Sequence, residues 1–447
     1  MPDKRESFSS RDDDDSDVDK QIRRKSGGIG IPENRIKVDY DLRREGAYVA
    51  VGFGNEDEKR DSIHTVKKQR SKGGSDSDER GKSSSRKENG KGSSSSSSDE
   101  EETSDLEERY NRALKEKAWE PVTKVDHEQF MVWRLEGDEV KPLDLKQSGV
   151  FFSDVIYIVL KAGNKQRRIS YDLHFWVPFK IEKKIPPEPP QKVKELAALL
   201  HDNVILHKEV EYFESSMFKS YFKTFIVFHG SPSSGFNDKE PKKYKPRLMR
   251  FKLDKNRGEF REVEASRKAL NSRGVYVIDK GLCMLQWNGR SCSEKERAGA
   301  SHHIENLLLR RKGKLTREFY DEEDLLPNNS FTDLLNDDDV EKIPTLPKDF
   351  EKTMLRLSNE EGVLKLKPIY HGRLARRGIE PSDVNFMDTA DGLYIYVGPT
   401  VSKKERNSVW KEADKYLEST KNPTRSIHYI KAGQKCYEMD EIWDDYN

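Results

Sequence analysis

The sequence predicts an α/β protein of the α+β type, built as three tandem repeats behind a disordered N-terminal tail. Three observations carry this reading. Of the 447 residues only 33% are hydrophobic while 36% are charged. An ordinary domain runs nearer roughly 45–50% apolar and about 25% charged, so part of the chain is expected not to fold. Beyond that part, the apolar pattern switches between strand-like alternation and helix-like spacing. Finally, two segments share one register. Seven positions separate Gly289 from Glu296 and Gly398 from Glu405, and twenty-two separate Gly274 from Glu296 and Asp383 from Glu405. Agreement at both spacings marks internal repeats of roughly 100 residues, too long for solenoid units, so each is read as a small domain.

The tail is read as residues 1–112. Asp12–Asp15 is an acidic block, and the serine run Ser93–Ser98 leads into Asp99–Glu102. Such a segment cannot bury enough apolar surface to offset its chain entropy. Within it, Ile29, Ile31, Ile36, Val38, Val49, Val51 and Phe53 hint at short strand or binding segments. The serines beside acidic residues are candidates for phosphorylation, which adds negative charge. The folded part is expected to start between Leu114 and Val132, and three domains follow: 113–230, 231–335 and 336–447.

In the first domain Gln129–Glu136 alternates like a half-buried strand. Val150–Leu160 is continuously apolar and reads as one central strand. Gly163-Asn164 is the turn signal before a strand at Ile169–Trp176. Val193, Leu196, Ala197 and Leu200 make one face of a helix, and Val204–Val210 is a short strand. In the second domain Gly274–Asp279 and Cys283–Trp287 form a hairpin, and Lys295–Arg297 opens a helix. In the third, Asp383–Asp388 and Leu393–Val397 do the same before Lys404–Arg406. The first domain is the most divergent copy, with a lengthened hairpin.

Several function classes fall away. The net charge is +1, so whole-chain charge points to neither nucleic acid nor a membrane surface, and any electrostatic partner must meet a local patch. Cys283, Cys292 and Cys436 are too few and too scattered for a disulfide framework, which suits a reducing compartment. No secretory signal and no transmembrane run is expected, so the chain reads as cytoplasmic. Nothing resembles a nucleophile–base pair, a phosphate loop or a zinc cluster, and no enzyme is expected.

Particular residues resemble the gelsolin/villin/severin family. They are Phe130–Glu136, Phe151–Leu160, Tyr171–Trp176, His207–Ser215, Tyr221–Lys223 and Ser234–Phe236, in family order. The stretch Glu209–Phe236 is the most specific, and the resemblance spans about 119–447. Three repeats resemble the short members, severin, fragmin and the macrophage capping protein. The long polar extension is not part of their usual pattern. The resemblance implies gelsolin-like repeats, each a central mixed sheet between a long and a short helix. It also implies an actin-binding protein of the cytoskeleton that caps or severs filaments, commonly under calcium control and opposed by phosphoinositides.

The resemblance further implies that a strand-start Asp and a Glu on or just before the long helix share a calcium ion in each repeat. In repeat one the matching positions hold Val155 and Lys180, and a further aspartate position holds Ala197. In repeat two they hold Gly274 and Glu296, with Arg273 adjacent as an ion-pair partner for Glu296. In repeat three Asp383 and Glu405 are both present, with the Ser382 carbonyl where a backbone oxygen is supplied. Calcium is therefore expected in repeat three only, if it binds at all. Helix capping accounts for the same two acids, and both readings stand.

The resemblance implies that repeat one presents its long helix to the cleft of an actin monomer, at positions that here hold Gln191, Lys192 and Val193. Val193 equally suits the core. It places a filament and phosphoinositide surface at the junction of repeats one and two. The candidates there are Lys219, Lys223, Lys242, Lys243, Lys245, Arg247 and Arg250, a basic stripe suited to an acidic surface or a lipid headgroup. A gelsolin-like scaffold that has lost actin regulation remains the alternative.

Overall fold

The structure, a computed structural model, describes residues 96–447 apart from 166–167, 202, 314, 325–329, 348, 360–361 and 446–447. The tail up to residue 95, with the Ile29–Phe53 segment, lies outside the described residues. The rest of the expected tail does not fit that expectation: Ser96–Ala113 is a helix, α1. Leu106, Tyr110 and Ala113 recur at helical spacing, and Ala113 is fully buried, so a sparse apolar stripe anchors an otherwise charged segment.

After a 3-10 turn at Lys117–Lys124 come β1 (Gln129–Glu136), β2 (Glu139–Pro142), β3 (Val150–Phe152), β4 (Ile156–Lys165) and β5 (Arg168–Val177). Then follow α2 (Phe179–Glu182), α3 (Gln191–Leu199), β6 (Val204–Val210), α4 (Ser216–Ser220) and β7 (Thr224–Phe228). The middle of the chain holds β8 (Arg247–Asp254), β9 (Arg257–Val263), β10 (Val275–Asp279), β11 (Cys283–Asn288), α5 (Glu294–Leu308) and β12 (Thr316–Asp321). The last part holds β13 (Thr353–Ser358), β14 (Lys365–His371), β15 (Val384–Asp388), β16 (Leu393–Val397), α6 (Lys403–Glu418), β17 (Ile427–Lys431) and α7 (Tyr437–Glu441).

These strands form two mixed sheets. One has ten strands in the order β14-β13-β15-β16-β17-β6-β5-β4-β1-β2, and the other has seven in the order β12-β11-β10-β8-β9-β7-β3. The ten-stranded sheet is continuous because β17 pairs antiparallel with β6, with His428 opposite His207. Two expectations are corrected. The apolar run Val150–Leu160 is two strands: β3 pairs with β7 in one sheet and β4 with β5 in the other. Phe151 and Phe152 sit in different apolar clusters, and the polar pair Ser153-Asp154 makes the turn from one sheet to the other. Gly163 and Asn164 are not the turn but paired positions near the end of β4, opposite Ser170 and Ile169.

The repeated register has a physical basis. A Cβ on Gly289 would lie 2.4 Å from the Ser272 carbonyl oxygen, and one on Gly398 would lie 1.9 Å from that of Pro381. At each place only glycine lets the chain leaving the hairpin pass the segment that enters it. Four residues after each glycine stands a serine N-cap, and three beyond that a glutamate. Ser293 with Glu296, and Ser402 with Glu405, close capping boxes on α5 and α6. Each box satisfies donors that the helix leaves orphaned. Glu296 thus caps α5, in place of the ion pair expected with Arg273.

Candidate functional site

The calcium positions come first. In repeat three Asp383 and Glu405 are both buried, at 3% and 4% exposure. Glu405 Oε2 accepts from the Ser402 amide and hydroxyl, and Oε1 accepts from the Asn359 amide at 2.6 Å. The guanidinium of Arg356 stands 3.8 Å from Asp383. An ion held by Asp383, Glu405 and the Ser382 carbonyl would compete with a fixed cation on one side and a helix cap on the other. Three protein ligands also fall short of the roughly six oxygens the ion requires. Among the described residues no three His, Cys, Asp or Glu are grouped to hold a metal. In repeat one Lys180 is exposed and reaches Glu341 at 3.5 Å.

The basic candidates divide. Lys223, Lys242, Lys243 and Lys245 are exposed. Arg247 is not part of the surface stripe: it is 8% exposed. It donates to Glu262, to the His229 carbonyl and to Ser234. Strand alternation sends it inward, where Glu262 neutralises it. Lys219 and Arg250 instead line a cavity of ≈ 650 Å³ together with Lys252, Glu259, Arg261 and Arg425. The strand register puts Arg250 opposite Arg261 and Lys252 opposite Glu259. Like charges directly opposite repel, and acids hold Arg261 in place. It donates to Glu214 at 2.6 Å and to Glu259. Burial pushes the Glu259 carboxyl up, but Arg261, Lys219 and Lys252 together hold it down at about 2. Arg250 Nε is buried with no hydrogen-bond partner among the described residues. Arg261 was missed from sequence because its role depends on Glu214, a residue outside β8 and β9.

Val193 leaves the candidate list. It is 0% exposed and packs in the main core with Leu196, Ala197 and Leu200, as its helical spacing dictates. Gln191 is exposed, and Lys192 donates to Glu116 at 2.9 Å.

A second group was not singled out from sequence. His207 on β6 and His428 on β17 share a hydrogen bond between their Nδ1 atoms at 2.8 Å. His174 on β5 stacks on His207 with centroids 4.2 Å apart. All three are essentially unexposed. Burial holds each imidazole well below the usual histidine range, against the pull of Asp172 and Glu209. The same burial raises Glu209, which accepts from Ser215 and Ser426 and lies 3.0 Å from His174. Neutral imidazoles therefore bridge the strand junction, one of the Nδ1 atoms donating and the other accepting. The partner residues lie far apart in sequence, and no local signal reveals the pairing.

Comparison with known proteins agrees with this architecture. The model of the gelsolin repeat matches residues 257–324. Severin of Echinococcus granulosus is 29% identical over 353 residues, covering 77% of this chain and 94% of that protein. Gelsolin-like protein 1 of Lumbricus terrestris is 29% identical over 343 residues, covering 74% and 92%. Gelsolin-like protein 2 of the same worm is 31% identical over 332 residues, covering 73% and 90%. With repeat register, capping glutamates and near-full-length relatives in agreement, the chain belongs to the gelsolin/villin/severin family.

Proposed function

We propose that this protein binds actin filaments and caps or severs them by binding alone, without catalysis, under calcium control that is weak or lost. The observation that supports the reading is the exposed basic segment that leads into β8. Lys242, Lys243 and Lys245 stand exposed there, while the cleft behind, with Lys219, Arg250 and Lys252, also holds Glu214, Glu259, Glu264 and Glu341. An acidic filament surface is the natural counterpart, and phosphoinositide headgroups carry the same charge and compete for it. The crowding at Asp383 and Glu405 supports weak calcium control. A cytoskeletal location follows from the same reading.

The scaffold alternative draws support from α3, where polar Gln191 and Lys192 stand at the positions expected to meet actin. Filament co-sedimentation with and without calcium separates the two. Replacing Lys242, Lys243 and Lys245 by Ala should weaken binding at low salt. At about 0.3–1 kcal/mol for each exposed pair, the loss is roughly fivefold to a hundredfold. It should shrink as salt screens the charges. Pelleting that is unchanged at low salt would move the interface elsewhere, and no pelleting by the unmodified chain would favour the scaffold.

A further inference from the structure

The outer side of α3 is buried when nothing in repeat one requires it to be. At about 100° per residue, Val193, Leu196, Ala197 and Leu200 cluster on the side that meets the core. Glu195 and Ala198 lie roughly 140–200° around the helix from Val193. A surface helix shows such positions to water. Here Glu195 is 3% exposed and Ala198 1%.

The helix packed against α3 is α1. Ala113 and Tyr110 of α1 join the same apolar cluster as Leu199 and Leu200. The Tyr110 ring stacks on His201 just past the end of α3, centroids 5.8 Å apart and planes 23° apart. Beyond α1, Glu116 takes Lys192 at 2.9 Å, and the same ammonium reaches Glu195 at 3.2 Å. The small side chains of Ala113 and Ala198 suit a close approach of the two helices.

We propose that α1 is a displaceable cover on the outer face of α3, carried by the chain itself, and that it controls a partner's access to that face. Three features set the cover apart from a core element. Its apolar stripe is thin, with only Leu106, Tyr110 and Ala113 turned inward among residues 104–113. Its remaining surface is charged and held by exposed pairs within the helix, Arg109 with Asp105 and Arg112 with Glu108. Exposed pairs of this kind add little stability. Finally, α1 adds no strand to either sheet, so its departure leaves both intact. Elements with few buried apolar contacts open at low cost.

Under the reading above, the partner is an actin monomer. The inference rests on that reading for what the cover excludes, not for the cover itself. The polar appearance of α3 in sequence then describes only its first turn, while the buried positions Glu195, Ala198 and Leu199 become available once α1 leaves.

The test uses the full-length chain with two separate changes, Tyr110→Asp and Glu108→Pro. The first puts a charge into the contact, and the second breaks α1 while sparing every residue of α3. Amide hydrogen exchange over 191–200 reads the cover, with β15 as the control for an intact fold. Monomeric actin binding reads its consequence. Both variants should speed exchange in α3 at least tenfold with β15 unchanged, and both should tighten monomer binding at least tenfold. Unchanged exchange in α3 would overturn the cover. Faster exchange with monomer binding no tighter than that of the unmodified chain would overturn the role of the face in binding actin monomers. If no form binds actin in any assay, the actin reading has failed, and the exchange data alone decide whether α1 is a cover.

Discussion

Lowering the pH from 7.5 to 5 should loosen the junction between β6 and β17, and His428→Asn should remove about half of the histidine effect. His207 and His428 meet there, with His174 stacked behind His207. Asp172 and Glu209 face them from β5 and β6, Tyr221 from beyond α4, and Asp391 and Tyr394 from the β15–β16 side. Their folded pKa values are depressed by burial, so stability is fully present above the ordinary histidine range near 6.5 and is lost as pH falls below it. Once exposed, a histidine of ordinary pKa takes up its proton with about 2 kcal/mol at pH 5 and almost nothing at pH 7.5. Opening bares two, for about 4 kcal/mol.

Glu209 works in the opposite direction. Burial raises its pKa, so its unfavourable contribution fades as pH falls. The informative quantity is therefore the difference between the unmodified chain and His428→Asn. Asn keeps a hydrogen-bonding atom near the Nδ1 position but cannot titrate. Protection factors for amides of β6 and β17, corrected for intrinsic exchange, should fall between pH 7.5 and 5 by roughly thirtyfold more in the unmodified chain. Equal falls in both proteins would refute the reasoning, as would a junction whose protection does not change across that range.

Arg261→Ala should destabilise the protein by about 3–5 kcal/mol in urea unfolding, because it strands the fully buried Glu214 carboxylate; a loss below about 1 kcal/mol would mean that Glu214 finds other solvation. Gly398→Ala and Gly289→Ala should both be severe, the first more so, since the added methyl falls at 1.9 Å and 2.4 Å from a carbonyl oxygen; soluble variants of ordinary stability would contradict the close approach. Calcium titration should give zero or one site, and Asp383→Ala should abolish any site seen, whereas two tight sites would show the ligands to lie elsewhere.

What could be read from the sequence was local. The two hairpins before α5 and α6 and the glycines behind them depend on residues within about twenty positions of one another, and the structure places them as expected; the serine–glutamate caps are equally local but were not read. Residues whose state depends on distant partners were not legible. Val150–Leu160 reads as one strand only if Ser153 and Asp154 are passed over; that polar pair marks the division into β3 and β4. Arg247 reads as one more cation in a basic run until Glu262 is placed beside it. Residues 96–112 look like tail because Ser, Asp and Glu dominate them, and a helix anchored by Leu106, Tyr110 and Ala113 has meaning only once α3 is there to receive it. Glu405 was legible as important, but its cap and its ligand reading use the same atoms.

The high charge content has a structural counterpart in how the parts are joined. Besides the apolar clusters, buried charge pairs tie separate elements: Lys208 of β6 to Glu182 of α2 at 2.8 Å, Arg261 of β9 to Glu214 at 2.6 Å, and Arg311 beyond α5 to Asp279 of β10 at 2.6 Å. Such pairs contribute little net stability, because desolvation offsets most of their attraction, yet removing one partner is costly. They select one arrangement more than they strengthen it. A junction built this way also behaves well when it opens. Its charges rehydrate, which offsets part of the cost of separating the elements. The β6–β17 contact adds neutral histidines and a buried carboxylate to an apolar core that runs across it, with Leu206 opposite Tyr429 and Phe175 packed on Trp410.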